Sequence, residues 1–211
     1  MTAQLRNWPY YTWLSGDHIV EQAIHSIDKM SWALQDEPPI KATGLGGRQS
    51  RTGPEFGHIF DHHSVVYEYK NGVKLFHSCR QQAGAKQEVS DFVYGTAGSA
   101  SILNQEIHKI VGKKPFQKSA RKEMRENKDD MYQNEHDELF RAIRSGRLIN
   151  DGEFMSRSTL LAIMARIATY TGQEITWEMA LNSKQDLFPK ELKLGPLPTP
   201  PVAKPGITKF I

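Results

Sequence analysis

The sequence predicts an α+β protein, an open and predominantly antiparallel β-sheet with a motif helix on one face and further helices at the C-terminus. Three observations predict it. Strand-like runs follow one another from residue 40 to residue 111, one amphipathic helical period occupies residues 17–35, and helical periods return after residue 131.

The elements can be justified in order. "NWPYYTW", residues 7–13, is short and aromatic and reads as a strand. Gly16 and Asp17 provide a flexible lead-in and an N-cap for the helix over 17–35, which Pro38-Pro39 stop. Strand-like runs then fill 40–49, 60–69, 73–82 and 88–94, with shorter ones at 99–103 and 106–111. Asn71-Gly72 predicts a hairpin turn, because both residues tolerate the positive φ of a type I′ turn. A two-residue loop would set Lys70 opposite Val73, Tyr67 opposite Phe76 and His63 opposite Arg80, with Asp61 on the same face. Two helices follow, over 132–146 and 150–172, each ending at a glycine. The second should bury Leu160, Leu161, Ile163, Met164, Ile167 and Tyr170, and a short helix follows Thr176. From Pro189 the density of proline permits only an extended arm. The expected organisation is therefore a domain over 1–188 and an arm over 189–211.

Composition narrows the function classes. The chain has 211 residues, 38% of them hydrophobic and 24% charged, with a formal net charge of +3, which suits a globular protein with a real core. Its one cysteine, Cys79, excludes an internal disulfide and any Cys-based zinc motif, and reads as a small buried packing residue. The basic stretch "KKPFQKSARKEMRENK", 113–128, runs directly into Asp129 and Asp130, so it reads as a solvated connection rather than a nucleic-acid site. There is no 18-residue apolar window and no signal-peptide pattern. A soluble chain, cytoplasmic by default, without membrane or nucleic-acid partners, is expected.

The candidate chemistry lies on "SGDHIVEQAIHSIDKMSWAL", residues 15–34. At about 100° per residue, Ile19, Val20, Ala23, Ile24, Ile27, Met30 and Leu34 form one face, and His18, Glu21, Gln22, His25 and Asp28 form the other. A solvated face is ordinarily Lys and Glu; this one collects groups that titrate or ligate near neutrality. His25 can take a proton at neutral pH, and Glu21, one turn earlier, can orient its imidazole and raise its basicity. His18, Glu21 and His25 also place metal donors on successive turns, but no fourth ligand is identifiable and no metal is assigned. Arg48, Arg51, Asp61, His63 and Arg80 either line a pocket for a polyhydroxylated or carboxylated substrate or form a cross-strand polar ladder without a ligand.

These residues resemble the second domain of the glucose-fructose oxidoreductase and inositol dehydrogenase family (Gfo/Idh/MocA). The family's G-x-x-x-x-D-x-x-x-H-x-x-D pattern falls on "GDHIVEQAIHSID" at Gly16, Glu21, His25 and Asp28, with Glu21 where many members have Asp. "VYGTAGSASI" at 93–102 and "FMSRSTLLAIMARIATYTGQEITWEMAL" at 154–181 resemble later family segments, and "GLGGRQSRTGPEFGHIFDHH" at 44–63 resembles a branch with sugar-like or unknown substrates. The resemblance implies a catalytic role for His25, Glu21 and Asp28, a sugar-like small-molecule substrate, and a homo-oligomer through the sheet face. It implies NAD or NADP for the full-length family but no cofactor bound by this chain alone. Family members begin with a Rossmann domain carrying G-x-G-x-x-G and a later E-K-P motif, and neither motif occurs here. "GLGG" at 44–47 leads into Arg48, Arg51, Gly53 and Pro54 instead of opening a helix. The expected function is thus the substrate-binding and oligomerisation domain of an NAD(P)-dependent oxidoreductase on a sugar, cyclitol or related polyol. The alternatives are a cofactor-free carbohydrate-binding or scaffold subunit, and a sugar lyase or epimerase using His25 and Glu21.

Overall fold

Strands β1 (Lys41–Gly47), β2 (His62–Glu68) and β3 (Lys74–Arg80) pair antiparallel, and β8 (Ile175–Thr176) pairs with the other edge of β1, giving the order β3-β2-β1-β8. Burial alternates along them. Ala42, His63, Val65, Tyr67, Leu75 and His77 are buried, whereas Thr43, Leu45, Ser64, Phe76, Ser78 and Arg80 are exposed on the opposite face. This is a computed structural model, which describes residues 1–103, 107–119, 126 and 130–211. It divides into one unit of Met1–Ala85 with Phe154–Ile211 and another of Lys86–Glu153.

The buried face of the first sheet is covered by helices of the same unit: α3 (His18–Glu21), α4 (Ile24–Ala33) and α6 (Gly152–Thr171). Ile19 and Ile27 join Val65, Tyr67, Leu161, Met164 and Ile175 in one apolar cluster. Tyr67 donates from its hydroxyl to the Leu161 carbonyl at 2.9 Å, so the largest buried side chain of β2 has a partner for its polar end. Close approach of α6 explains Gly44 and Gly46 of β1. A Cβ on Gly44 would lie 2.8 Å from Thr169 Cγ2 and 3.0 Å from the Ser64 carbonyl oxygen, so a side chain there would push the helix off the sheet. The C-terminal helix α7 (Trp177–Leu181) starts at Thr176, whose hydroxyl accepts from the Met179 amide at 3.1 Å.

The second unit holds a separate antiparallel sheet in chain order, β4 (Ser90–Gly95), β5 (Gly98–Leu103), β6 (Ile107–Gly112) and β7 (Phe116–Ser119), and helix α5 (Met131–Ser145). Asp130 caps α5 by accepting from the Tyr132 amide at 3.0 Å, and Gly146 ends it at φ 70°. The α+β class with antiparallel strands thus stands, with the strands shared between two sheets. Most of the basic stretch at 113–128 lies outside the described residues.

Three local expectations are corrected. "NWPYYTW" is helical: α1 (Thr2–Arg6) is followed by a 3₁₀ turn over Trp8–Tyr10 and by α2 (Thr12–Ser15). Pro9 has the φ a first helical turn requires, which outweighs the strand preference of its aromatic neighbours. The helix over 17–35 is interrupted between Glu21 and Ile24, where the Ala23 amide reaches back five residues to the His18 carbonyl at 3.0 Å. That extra residue turns α4 relative to α3 and takes His18 off the exposed stripe.

The hairpin register differs by one residue. The Gly72 amide bonds to the Tyr69 carbonyl at 2.9 Å and the Tyr69 amide to the Val73 carbonyl at 3.0 Å, so the loop has three residues, with Gly72 left-handed at φ 79°. Tyr67 therefore faces Leu75, His63 faces Cys79, and Arg80 faces His62. A one-residue slip exchanges the faces of a strand, and Arg80 moves to the side of the sheet away from His63.

Candidate active site

Because of the break after α3, the polar residues of the motif segment fall into two environments. Gln22 and His25 are exposed, Glu21 and Asp28 half-buried, and His18 buried. Burial raises the Glu21 pKa, while the charges of His18 and His25 oppose that rise, so the Glu21 carboxylate lies within electrostatic reach of both rings. Asp28 Oδ1 is buried and takes no hydrogen bond among the described residues. An exposed imidazole beside a partly desolvated carboxylate can accept a proton from a hydroxyl brought up from solvent.

Behind this surface lies a buried polar hub that sequence reading took only for a helix cap. Asp17 is completely buried, at φ 80° and ψ 159°, a backbone region that only glycine adopts readily. Its carboxylate contacts hold it there. Oδ1 accepts from the His18 amide at 2.5 Å, and lies 2.8 Å from His18 Nδ1 and 3.3 Å from His63 Nε2. Oδ2 accepts from the Phe60 amide at 3.0 Å and the Tyr170 hydroxyl at 2.5 Å. Burial alone would raise the Asp17 pKa, but His18 and His63 outweigh it and hold the carboxyl far below the usual range. The hub thereby joins the start of α3 to β2, the chain before it and α6.

The five residues expected around a pocket are not gathered into one. Asp61 is fully buried. Its Oδ2 accepts from the backbone amides of Gln49, Ser50 and Arg51 at 2.8, 2.6 and 2.9 Å, and its Oδ1 from Gln82 Nε2 at 3.0 Å, with His62 Nδ1 at 2.7 Å. Arg48 donates to the carbonyls of Arg51, Gly53 and Gly57. Arg51 reaches Gln81 Oε1 at 2.6 Å, with its guanidinium 5.6 Å from the ring centres of Tyr10 and Phe56. These three residues shape the loop between β1 and β2. His63 belongs to the Asp17 hub, and Arg80 lies on the exposed face of the sheet.

His58, on the same loop, titrates in a useful range. Its Nε2 lies 2.8 Å from Thr12 Oγ1. Burial pushes its pKa down to about 4, opposed by the charge of Asp17 and aided by those of Arg48 and Arg166. The folded protein keeps His58 neutral where the unfolded chain, with a pKa of about 6.5, takes up a proton. Its contribution to stability is therefore complete above that value and is lost as pH falls toward 4. Between about pH 7.5 and about pH 5 this group should remove about 2 kcal/mol. Urea unfolding at both pH values should show a smaller loss for His58→Gln than for the wild type.

Residues 2–101 match the GFO/IDH/MocA C-terminal domain. The fold is similar to that of the aldose-aldose oxidoreductase from Caulobacter crescentus (TM-score 0.60, 16% identity), covering 80% of this chain and 50% of that one. It is also similar to the UDP-N-acetylglucosamine 3-dehydrogenase from Acidithiobacillus ferrooxidans (TM-score 0.57, 17% identity, 72% of this chain and 46% of that one). A third similar structure is the WlbA dehydrogenase from Chromobacterium violaceum, in complex with NADH and UDP-GlcNAcA (TM-score 0.57, 17% identity, 74% and 44%). The chain thus spans half or less of these three solved structures. No curated protein matches the sequence. Among the described residues, no helix is long and apolar enough to cross a membrane.

Proposed function

Because residues 2–101 match the GFO/IDH/MocA C-terminal domain, we propose that this chain supplies the substrate-facing and self-association surfaces of an NAD(P)-dependent oxidoreductase acting on a sugar, cyclitol or related polyol. The observation that carries the reading is the placement of His25, exposed on α4 within electrostatic reach of the half-buried Glu21. Oxidation of a secondary alcohol needs an acceptor for the hydroxyl proton. His25 is that acceptor in this reading, Glu21 orients it, and Asp28, one turn beyond, completes the polar stripe.

The dinucleotide is assigned to another domain. The segment nearest to a phosphate-binding loop, Gly44–Gly47, is spent on β1: its amides and carbonyls belong to a sheet, and Gly44 and Gly46 admit α6. It does not fit the group. The natural full-length protein, screened with polyols for growth of NAD(P)H absorbance, tests the proposal. Turnover that requires no added or bound dinucleotide would instead favour a lyase or epimerase.

The self-association surface is the outer face of the first sheet. Leu45 and Phe76 are 80% and 75% exposed there, beside Val66 and the Ser64–Ser78 pair. A flat sheet face carrying such side chains is suited to pack against a second copy. Phe76→Glu should shift the molar mass seen by light scattering toward that of the monomer, and a wild type that is monomeric at tens of micromolar would remove this part of the reading.

A further inference from the structure

We infer that Asp17, His18 and His63 form a binding site for a first-row divalent cation, zinc by its donor set, that ties the start of α3 to β2. The three donors, Asp17 Oδ1, His18 Nδ1 and His63 Nε2, lie within 4.8 Å of one another, and all three residues are buried. Metal–ligand bonds of about 2.0–2.1 Å at tetrahedral angles place donor atoms about 3.4 Å apart. The Asp17–His63 contact of 3.3 Å already matches. To match, the Asp17–His18 contact of 2.8 Å must open by about 0.6 Å, and the two histidine nitrogens, which lie within 4.8 Å of each other, must come to about the same spacing.

The outer partners of both histidines accommodate the tautomers that such a site needs. The Thr169 hydroxyl has the α6 carbonyls of Ala165 and Arg166 as acceptors, at 3.1 and 3.0 Å, which leaves its oxygen free to accept from His63 Nδ1, 2.9 Å away; that tautomer carries a lone pair on Nε2. On His18, Nε2 faces Cys79 Sγ at 3.6 Å, and with its proton there the lone pair lies on Nδ1. Both Nδ1 of His18 and Nε2 of His63 are buried and lack a hydrogen bond among the described residues, although Asp17 Oδ1 is near. A cation bound among these three atoms would pair both nitrogens and the carboxylate oxygen at once.

The carboxylate is prepared in the same way. Asp17 Oδ2 is held by the Phe60 amide and the Tyr170 hydroxyl, which fixes the plane of the group and presents Oδ1 to the site. A histidine whose second nitrogen is hydrogen-bonded, and a carboxylate held through its other oxygen, are the outer arrangement that metal sites share.

The test uses the purified chain stripped with a chelator and dialysed against cobalt(II), whose visible absorption reports tetrahedral nitrogen and oxygen ligation. One equivalent should bind, the visible band should appear, and the unfolding temperature should rise with free cobalt. Thr169→Val should weaken binding about tenfold or more by releasing the His63 ring. The pair His18→Gln and His63→Gln should abolish binding, while the neighbouring His62→Gln should leave it intact. Absence of stoichiometric cobalt or zinc binding to the wild type at micromolar free metal would overturn the proposal, and this readout needs no variant to fold. Binding that survives loss of both histidines, or that is lost with His62, would overturn it as well.

Discussion

Asp61→Ala is expected to destabilise the first unit by about 3–5 kcal/mol, because it removes one buried carboxylate and strands several donors at once. The amides of Gln49, Ser50 and Arg51 all point at Oδ2, while His62 and Gln82 share Oδ1. Arg48 already holds the carbonyls of Arg51, Gly53 and Gly57 in the same loop. Asp61→Asn should recover only part of the loss, because an amide offers one acceptor oxygen where the carboxylate offers two. The same contacts give a sign for pH. Burial opposes ionisation, but the three amides and His62 outweigh it and hold the carboxyl well below its usual range. The stabilisation is therefore present above the unfolded-state value of about 3.9 and is lost as pH falls below it. Urea unfolding of the two variants, with amide exchange at Gln49–Arg51 as the local readout, checks the argument. A cost for Asp61→Ala within about 1 kcal/mol would mean that the loop finds other acceptors.

How much of this was legible in the sequence depends on the range of the interaction concerned. Period-2 patterning located the strands of the first sheet, and the glycines at 146 and 172 marked two helix ends, because each of those signals is local. Asn71-Gly72 located a hairpin but could not choose between a two-residue turn and a three-residue turn with glycine left-handed, since the dipeptide satisfies both. That single choice decided the face on which Arg80 lies. The run His63, Val65, Tyr67 did hold a usable signal, because it set His63 on the apolar side, where a histidine must find buried partners. Asp17 was legible only as a cap. Its second oxygen contacts Phe60 and Tyr170, 43 and 153 residues away, and no local pattern encodes such a contact. Arg48 and Asp61 leave a pocket and a ligand-free polar ladder equally open for a related reason: arginine and aspartate suit a ligand's hydroxyls and a loop's own carbonyls and amides equally well.

His25→Ala should separate function from stability. The residue is exposed, so the isolated chain should change by no more than about 1 kcal/mol on chemical denaturation, within the range of surface substitutions. Under the proposed function, in an active enzyme where a dinucleotide-binding domain accompanies this chain, the same change should lower turnover roughly 10²- to 10⁴-fold, the scale of a positioned proton acceptor. The loss should fall on kcat more than on KM, because the base is needed as the hydroxyl proton leaves and contributes little to holding the ground state. It should also remove the acidic limb of the pH–rate profile, since that limb follows deprotonation of the base. Glu21→Gln should be milder and should shift that limb, because it alters the basicity of the ring without removing it. A loss of several kcal/mol in the isolated chain would mark His25 as structural. Unchanged turnover, or an unchanged pH profile, would remove it from the chemistry and leave the exposed stripe on α4 as a binding surface only.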